Sequence, residues 1–219
     1  LSQAFSSPAN LKSRLEIVKS WFNLMDEDGW IAREQILGPE ARSKVPLEFQ
    51  VQYPHYANPP TLFLVLETFV QKLEEGNKSQ KSGDGTRGMQ DAGTNLQNAH
   101  LDNPEVALQY LHNIYPLLRK QYDWFRRTQY GDIKSYDREA FSTKEAYRWR
   151  GRTPRHILTS GLDDYPRPQP PHPGELHVDL ISWMGMMTRS LRRIATYIGE
   201  SEDASEYEAS EKAITRNID

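Results

Sequence analysis

The densest grouping of chemically capable side chains in this sequence is the short run Ser160-Gly161-Leu162-Asp163-Asp164-Tyr165-Pro166-Arg167. Glycine and proline fix a tight loop there, two adjacent carboxylates sit in it, and an arginine and a tyrosine stand near enough to tune them. A carboxylic acid that stays protonated can donate to the leaving oxygen of a glycosidic bond, and burial beside aromatic side chains is how a carboxyl is kept in that form. Asp-Asp ahead of Tyr-Pro is also how an Asx turn with a capping carboxylate reads, and on this run alone the turn is the commoner outcome.

Other residues of the right type lie on both sides of it. Arg33, Arg150 and Arg152 each offer fixed N–H donors to sugar hydroxyls or to a carboxylate; loop-to-loop salt bridging is an equal alternative for all three. Trp30, Phe49, Tyr53 and Trp149 have faces that can stack on a pyranose, although loop aromatics more often seal the edge of a core. Glu175-x-His177-x-Asp179 stands where a helix is predicted to begin, and acidic groups in a first turn complement the helix dipole, the role preferred here for Glu175. His172 and His177 have no third ligand at a suitable spacing, so no metal site is expected. Asn77-Lys78-Ser79 fits the N-glycosylation acceptor pattern in a polar stretch.

These residues must be positioned by helices. In residues 10–25, Leu11, Leu15, Val18, Phe22 and Met25 recur at helical steps before an acidic turn ending in Gly29. Asn58-Pro59-Pro60 offers a cap and first-turn prolines for a second helix, carrying Leu62, Leu66, Phe69 and Leu73 and ending at Gly76. Asn103-Pro104-Glu105 repeats the signal for a third, whose stripe runs from Ala107 to Phe125 through Pro116, where a kink is predicted. The clearest pattern spans 175–198, with Leu180, Trp183, Met184, Met187, Leu191, Ile194 and Ile198 in phase. Residues 77–100, rich in Gly, Ser, Gln, Asn and charge, read as a flexible surface insertion with little to give a core. Residues 29–57 and 129–174 are long connections dense in aromatics and charge, a composition typical of functional loops. The last run, 202–219, is polar and helix-prone without a stop signal. So few helices joined by loops this long suggest an incomplete part of a larger all-α domain, and apolar faces such as Leu180, Trp183 and Met187 are expected to be left exposed.

Composition narrows partners more than function. The chain has 219 residues, a formal net charge of -3 and no cysteine. That removes disulfides, thiolate zinc and cysteine nucleophiles, and leaves no broad basic face for nucleic acid, although Arg148, Arg150, Arg152 and Arg155 are locally basic. No run approaches a membrane span, so no direct membrane contact is expected from this segment.

Several blocks together resemble the processing α-glucosidases of glycoside hydrolase family 63, the glucosidase I type. They are Arg150-Gly151-Arg152, the run from Leu158 to Arg167, Glu175-Leu176-His177-Val178-Asp179-Leu180 with Trp183, and upstream 29–38, 41–46, 49–52 and 57–61. The likeness covers nearly all of 1–219 except the 77–100 insertion and the extreme ends. It implies a partial (α/α)6 toroid, twelve helices in two concentric rings in the complete domain, with the sugar site at one end. It also implies hydrolysis with inversion, needing no cofactor, of the terminal α-1,2-linked glucose of a glucosylated high-mannose N-glycan. Asp163 follows a Ser-Gly-hydrophobic triplet, as the general acid does in related toroid enzymes such as trehalases. Asp164 would orient it or bind hydroxyls, and the Glu175-x-His177-x-Asp179 stretch corresponds to a family substrate-binding signature. The general base is expected on a missing segment, because no glutamate after Trp183 stands in a matching context. The chain is therefore expected to be inactive without the remainder of its catalytic domain. The resemblance places the parent in the endoplasmic reticulum lumen, through an anchor outside this chain. Alternatives are a related toroid glycosidase acting on other α-glucosides or mannosylglycerate-type sugars, and a non-catalytic helical module that binds glycans.

Overall fold

The computed structural model describes residues 11–81, 99–163 and 165–219. Helix α1, Leu11–Phe22, buries Leu11, Leu15, Val18 and Phe22, the stripe its spacing predicts. Two short helices follow, α2 at Gly38–Lys44 and α3 at Leu47–Gln50, and neither buries a residue. They were not legible beforehand because segments this short carry no apolar period.

Helix α4 spans Leu62–Lys81 and buries Phe63, Leu66, Phe69, Val70 and Leu73. It does not stop at Gly76. A side chain added there would meet nothing within 4 Å, so Gly76 lies on an open face and its weak helix propensity, about 1 kcal/mol against alanine, is borne by the packed turns before it. Of the predicted insertion, residues 77–81 are helix, Ala99 and His100 open a short helix α5, Ala99–Asp102, and 82–98 lie outside the described residues. Asn77 is exposed on α4.

Helix α6, Pro104–Thr128, starts as its sequence predicts. Asn103 Oδ1 accepts from the N–H of Glu105 at 3.0 Å and of Val106 at 3.4 Å, and Pro104 stands where a missing N–H is harmless. The helix carries Pro116 inside and continues past it. Helix α7, Val178–Ile198, ends at Gly199, whose φ of 88° suits glycine, and α8, Ser201–Ile218, turns back along it. The start of α7 is therefore Val178. The acidic residue in its first turn is Asp179, which corrects the dipole role given to Glu175.

Helix α7 is central, packed against α8, α6 and α4, while α1 packs on α4 and α6. Ion pairs lock the same contacts: Arg193 of α7 holds Glu67 and Glu74 of α4, and Glu211 of α8 accepts from Arg189 at 2.8 Å and Arg192 at 2.7 Å. The expectation of exposed apolar faces on α7 is corrected, since Leu180 and Met187 are fully buried and Trp183 is partly covered. Among the described residues there is no strand, only an isolated antiparallel bridge between Tyr130 and Tyr147, so the class is all-α. No described helix is long and apolar enough to cross a membrane.

Candidate active site

Three loop segments converge, one beyond the end of α1, one just past α6 and one in the connection that leads into α7. The first begins with Asp26, whose Oδ1 accepts from the backbone N–H of Asp28, Gly29 and Trp30 at 3.0, 2.9 and 2.8 Å. This turn delivers Trp30, whose indole N–H donates to the Tyr56 carbonyl at 2.9 Å and so ties the first loop to the segment before α4.

The second centre is Gln129, just past α6 and fully buried. Its amide nitrogen donates to the His55 carbonyl and its amide oxygen accepts from the Arg150 N–H, both at 2.9 Å. Arg150 in turn spends its guanidinium on the carbonyls of Thr128 at 2.7 Å and Tyr130 at 3.1 Å. Nothing in the sequence singles out Gln129, because its partners are backbone groups of distant residues.

The third element carries Asp163. Leu158–Ser160 is a single 3-10 turn closed by Gly161 at φ 70°. Ser160 Oγ donates to the Ile157 carbonyl at 2.8 Å and accepts from the Leu162 N–H at 3.1 Å, while Thr159 Oγ1 donates to the Arg150 carbonyl at 2.7 Å. The Ser-Gly-hydrophobic triplet is thus a rigid pedestal for the next residue. Asp163 is partly buried, its Oδ1 is shielded from solvent, and among the described residues that oxygen has no hydrogen-bond partner.

The loops enclose a cleft of about 510 Å³, within the size range of small-ligand sites. Asp163 lines it with Trp30, Arg33, Phe49, Tyr53, Tyr56 and His156, and Glu34 and Glu48 add two exposed carboxylates. Among the described residues Arg33 reaches the Leu158 carbonyl, at 3.5 Å, and is otherwise exposed. A carboxyl group, an available guanidinium and several aromatic faces in one concavity form a set suited to a carbohydrate. A larger groove of about 840 Å³, bounded by Asp28, Lys120, Arg127 and Lys134, is ringed by opposed charges and does not include Asp163.

Residues 7–219 match the model of the glycosyl hydrolase family 63 C-terminal domain. The chain belongs to glycosyl hydrolase family 63. It is 52% identical over 208 residues to a probable mannosyl-oligosaccharide glucosidase of Schizosaccharomyces pombe, covering 94% of this chain and 26% of that protein. A mannosyl-oligosaccharide glucosidase of Saccharomyces cerevisiae is 43% identical over 215 residues, covering 93% of this chain and 26% of that protein. Alpha-glucosidase 2 of Arabidopsis thaliana is 35% identical over 195 residues, covering 86% of this chain and 21% of that protein. The chain spans about a quarter of the length of the first two relatives.

Within this family 63 segment the sequence-selected residues fall into two groups. Asp163, Trp30 and Arg33 share the cleft. Arg150, Arg152, Glu175, His177 and Asp179 lie outside the cleft lining and bond to one another, to backbone or, for Asp179, to the side chains of Arg167 and Trp149. Arg152 Nε donates to Glu175 Oε2 at 3.1 Å, Arg167 pairs with Asp179 at 3.2 Å, and the Trp149 indole N–H donates to Asp179 at 3.0 Å. Trp149 itself is fully buried. Asp164 lies outside the described residues.

The electrostatics of this second group follow from its contacts. Burial opposes ionisation of Glu175 and Asp179. Hydrogen bonds from Arg152 and the His172 N–H outweigh it for Glu175, and those from Arg167 and Trp149 outweigh it for Asp179, so both carboxyls stay below their ordinary values. Burial and then the Arg167 charge hold His177 below the usual imidazole value, against the pull of Asp179 and Glu175. His177 Nδ1 accepts from the Trp149 N–H at 2.9 Å, which places the ring proton on Nε2, 3.4 Å from Glu175 Oε2 but not aligned for a hydrogen bond. Among the described residues, no group of three or more His, Asp or Glu side chains is placed to hold a metal ion.

Proposed function

We propose that this chain carries the general acid of an inverting α-glucosidase that removes the terminal α-1,2-linked glucose of a glucosylated high-mannose N-glycan. The observation that carries the reading is Asp163 itself: it stands on a braced turn, at the wall of an aromatic cleft, with one carboxyl oxygen buried and unpartnered. Asp163 donates its proton to the glycosidic oxygen as the bond to the anomeric carbon breaks. A carboxylate from the remainder of the enzyme, roughly 6.5–9.5 Å away, takes a proton from the attacking water. Trp30 and the neighbouring tyrosines offer faces for the ring, and Arg33 offers donors to hydroxyls. The names of the yeast relatives support the glycan class. The exposed Asn77 acceptor supports a parent in the endoplasmic reticulum lumen, tethered through an anchor outside this chain.

The test is Asp163→Asn in the complete enzyme carrying this segment. An amide of the same shape cannot donate the proton, so kcat should fall at least ~100-fold with KM nearly unchanged. NMR of the first product should show the β anomer. Full activity of Asp163→Asn would end the reading, and release of the α anomer would end its inverting form.

A further inference from the structure

We propose that Glu175, His177 and Asp179 are positioning residues that hold the acid loop in place and do not contact the sugar; this rests on the reading of Asp163 as the general acid. Their polar atoms are directed inward. Asp179 Oδ1 accepts from Arg167 at 3.4 Å, and its Oδ2 accepts from Arg167 at 3.2 Å and from the Trp149 indole at 3.0 Å. Glu175 divides its oxygens between Arg152 at 3.1 Å and the His172 N–H at 3.2 Å. His177 is buried and uses Nδ1 on the Trp149 N–H. None of the three lines the cleft that contains Asp163.

The groups they hold flank the acid. Arg167 closes the run that carries Asp163, and Arg152 donates onward to the Pro168 carbonyl at 2.7 Å. The loop is therefore fastened downstream of Asp163 at two consecutive residues, Arg167 by Asp179 in the first turn of α7 and Pro168 by Arg152, which Glu175 holds in turn. Upstream, the Thr159 to Arg150 bond fastens the other side. Among the described residues Arg167 has no substitute anchor: its Nε is buried without a hydrogen-bond partner, and its guanidinium otherwise covers the Tyr165 ring at 5.4 Å. Loss of the Asp179 charge removes the tie nearest the acid and leaves only those at Pro168 and Gln169, and displacement of a reacting group by about 1 Å costs on the order of 100-fold in rate.

A general acid and a sugar-binding group respond differently to the leaving group. A hydroxyl leaving group needs the proton, whereas fluoride departs from α-glucosyl fluoride without it. In the complete enzyme, Asp179→Asn should lower kcat on a glucose-terminated α-1,2 oligosaccharide by about 10- to 100-fold, leave KM within about twofold, and lose far less on the fluoride. Arg167→Lys, which keeps the charge but loses the fork, should show the same split. The double variant should lose little more than the worse single one, since both act through one contact. A raised KM with unchanged kcat, or equal losses on both substrates, overturns the inference. Asp163→Asn measured alongside separates the two levels. If it shows no leaving-group dependence, the acid assignment falls and takes the inference with it. If it does and Asp179→Asn and Arg167→Lys do not, the positioning role alone falls.

Discussion

Trp30 reaches the cleft because the turn before it is over-determined, with three backbone N–H groups on one Asp26 oxygen and an indole bond to Tyr56. The weakest point of that arrangement is Gly29. Its φ of 104° suits only glycine, and an added Cβ would come within 2.5 Å of the Lys120 carbonyl oxygen and 2.9 Å of Trp124 Cβ. Gly29→Ala should therefore cost about 2 kcal/mol or more in stability, read from denaturant unfolding, because both the backbone angle and the neighbouring helix resist it. An unchanged midpoint would mean that the turn relaxes and that Trp30 is not rigidly placed. The cleft carboxylates allow a second check. Glu34 and Glu48 are exposed, so neither is expected to be the base; Glu34→Gln and Glu48→Gln should each cost less than about tenfold in kcat. A loss of 1,000-fold in either would place the base on this chain.

At the scale of elements, the long helices were legible and their joints were not. The stripes of α1, α6 and α7 follow from apolar spacing, and the Asn103-Pro104 start of α6 follows from capping chemistry. The start of α7 was misplaced because Glu175, which looks like a first-turn acid, is claimed by Arg152, an interaction across 23 residues that no local pattern encodes. The same reason hid Gln129, while the tight turn ahead of Asp163 was legible because it is local. The buried joint at His177 also predicts a pH response. The folded state holds His177 below its ordinary value, so the unfolded chain binds more protons, and stability is complete above about pH 6.5 and falls as pH drops toward the folded value. Glu175 and Asp179, also held low, lose their contributions only below about pH 4. Buried Glu145, pushed up chiefly by burial, acts in the opposite direction to His177 as pH rises. Melting temperatures of wild type and His177→Gln compared from pH 7.5 to 5 isolate the histidine. The variant should be less stable at pH 7.5 and decline less on acidification. Parallel curves would mean that His177 is not the titrating group.

At the scale of the molecule, the expected incompleteness takes a different form from the one the helix pattern suggested. The faces of α7 are not left open; α4, α6 and α8 close over Leu180 and Met187, which are fully buried. One cluster of apolar surface that stays open lies around α2 and α3, where Leu37 is 76% and Leu47 83% exposed and Phe49, Val51 and Tyr53 are exposed beside them. Sequence could not reveal this, since a helix without a period gives no face to assign. A cluster of large apolar side chains at the rim of a cleft is usually covered in the working protein, and a chain spanning about a quarter of its relatives leaves ample polypeptide to cover it. The isolated chain should therefore keep its helical signal and a cooperative melt, because its core is closed, yet associate through this rim at micromolar concentration. Light scattering after size exclusion would show the association, and Leu37→Glu with Leu47→Glu should return the chain to a monomer without changing its circular dichroism. In the complete enzyme the same pair should lower the melting temperature, because there the two leucines meet a partner surface. A monomeric wild-type chain, together with a complete enzyme indifferent to both substitutions, would show that this rim faces water in the working protein.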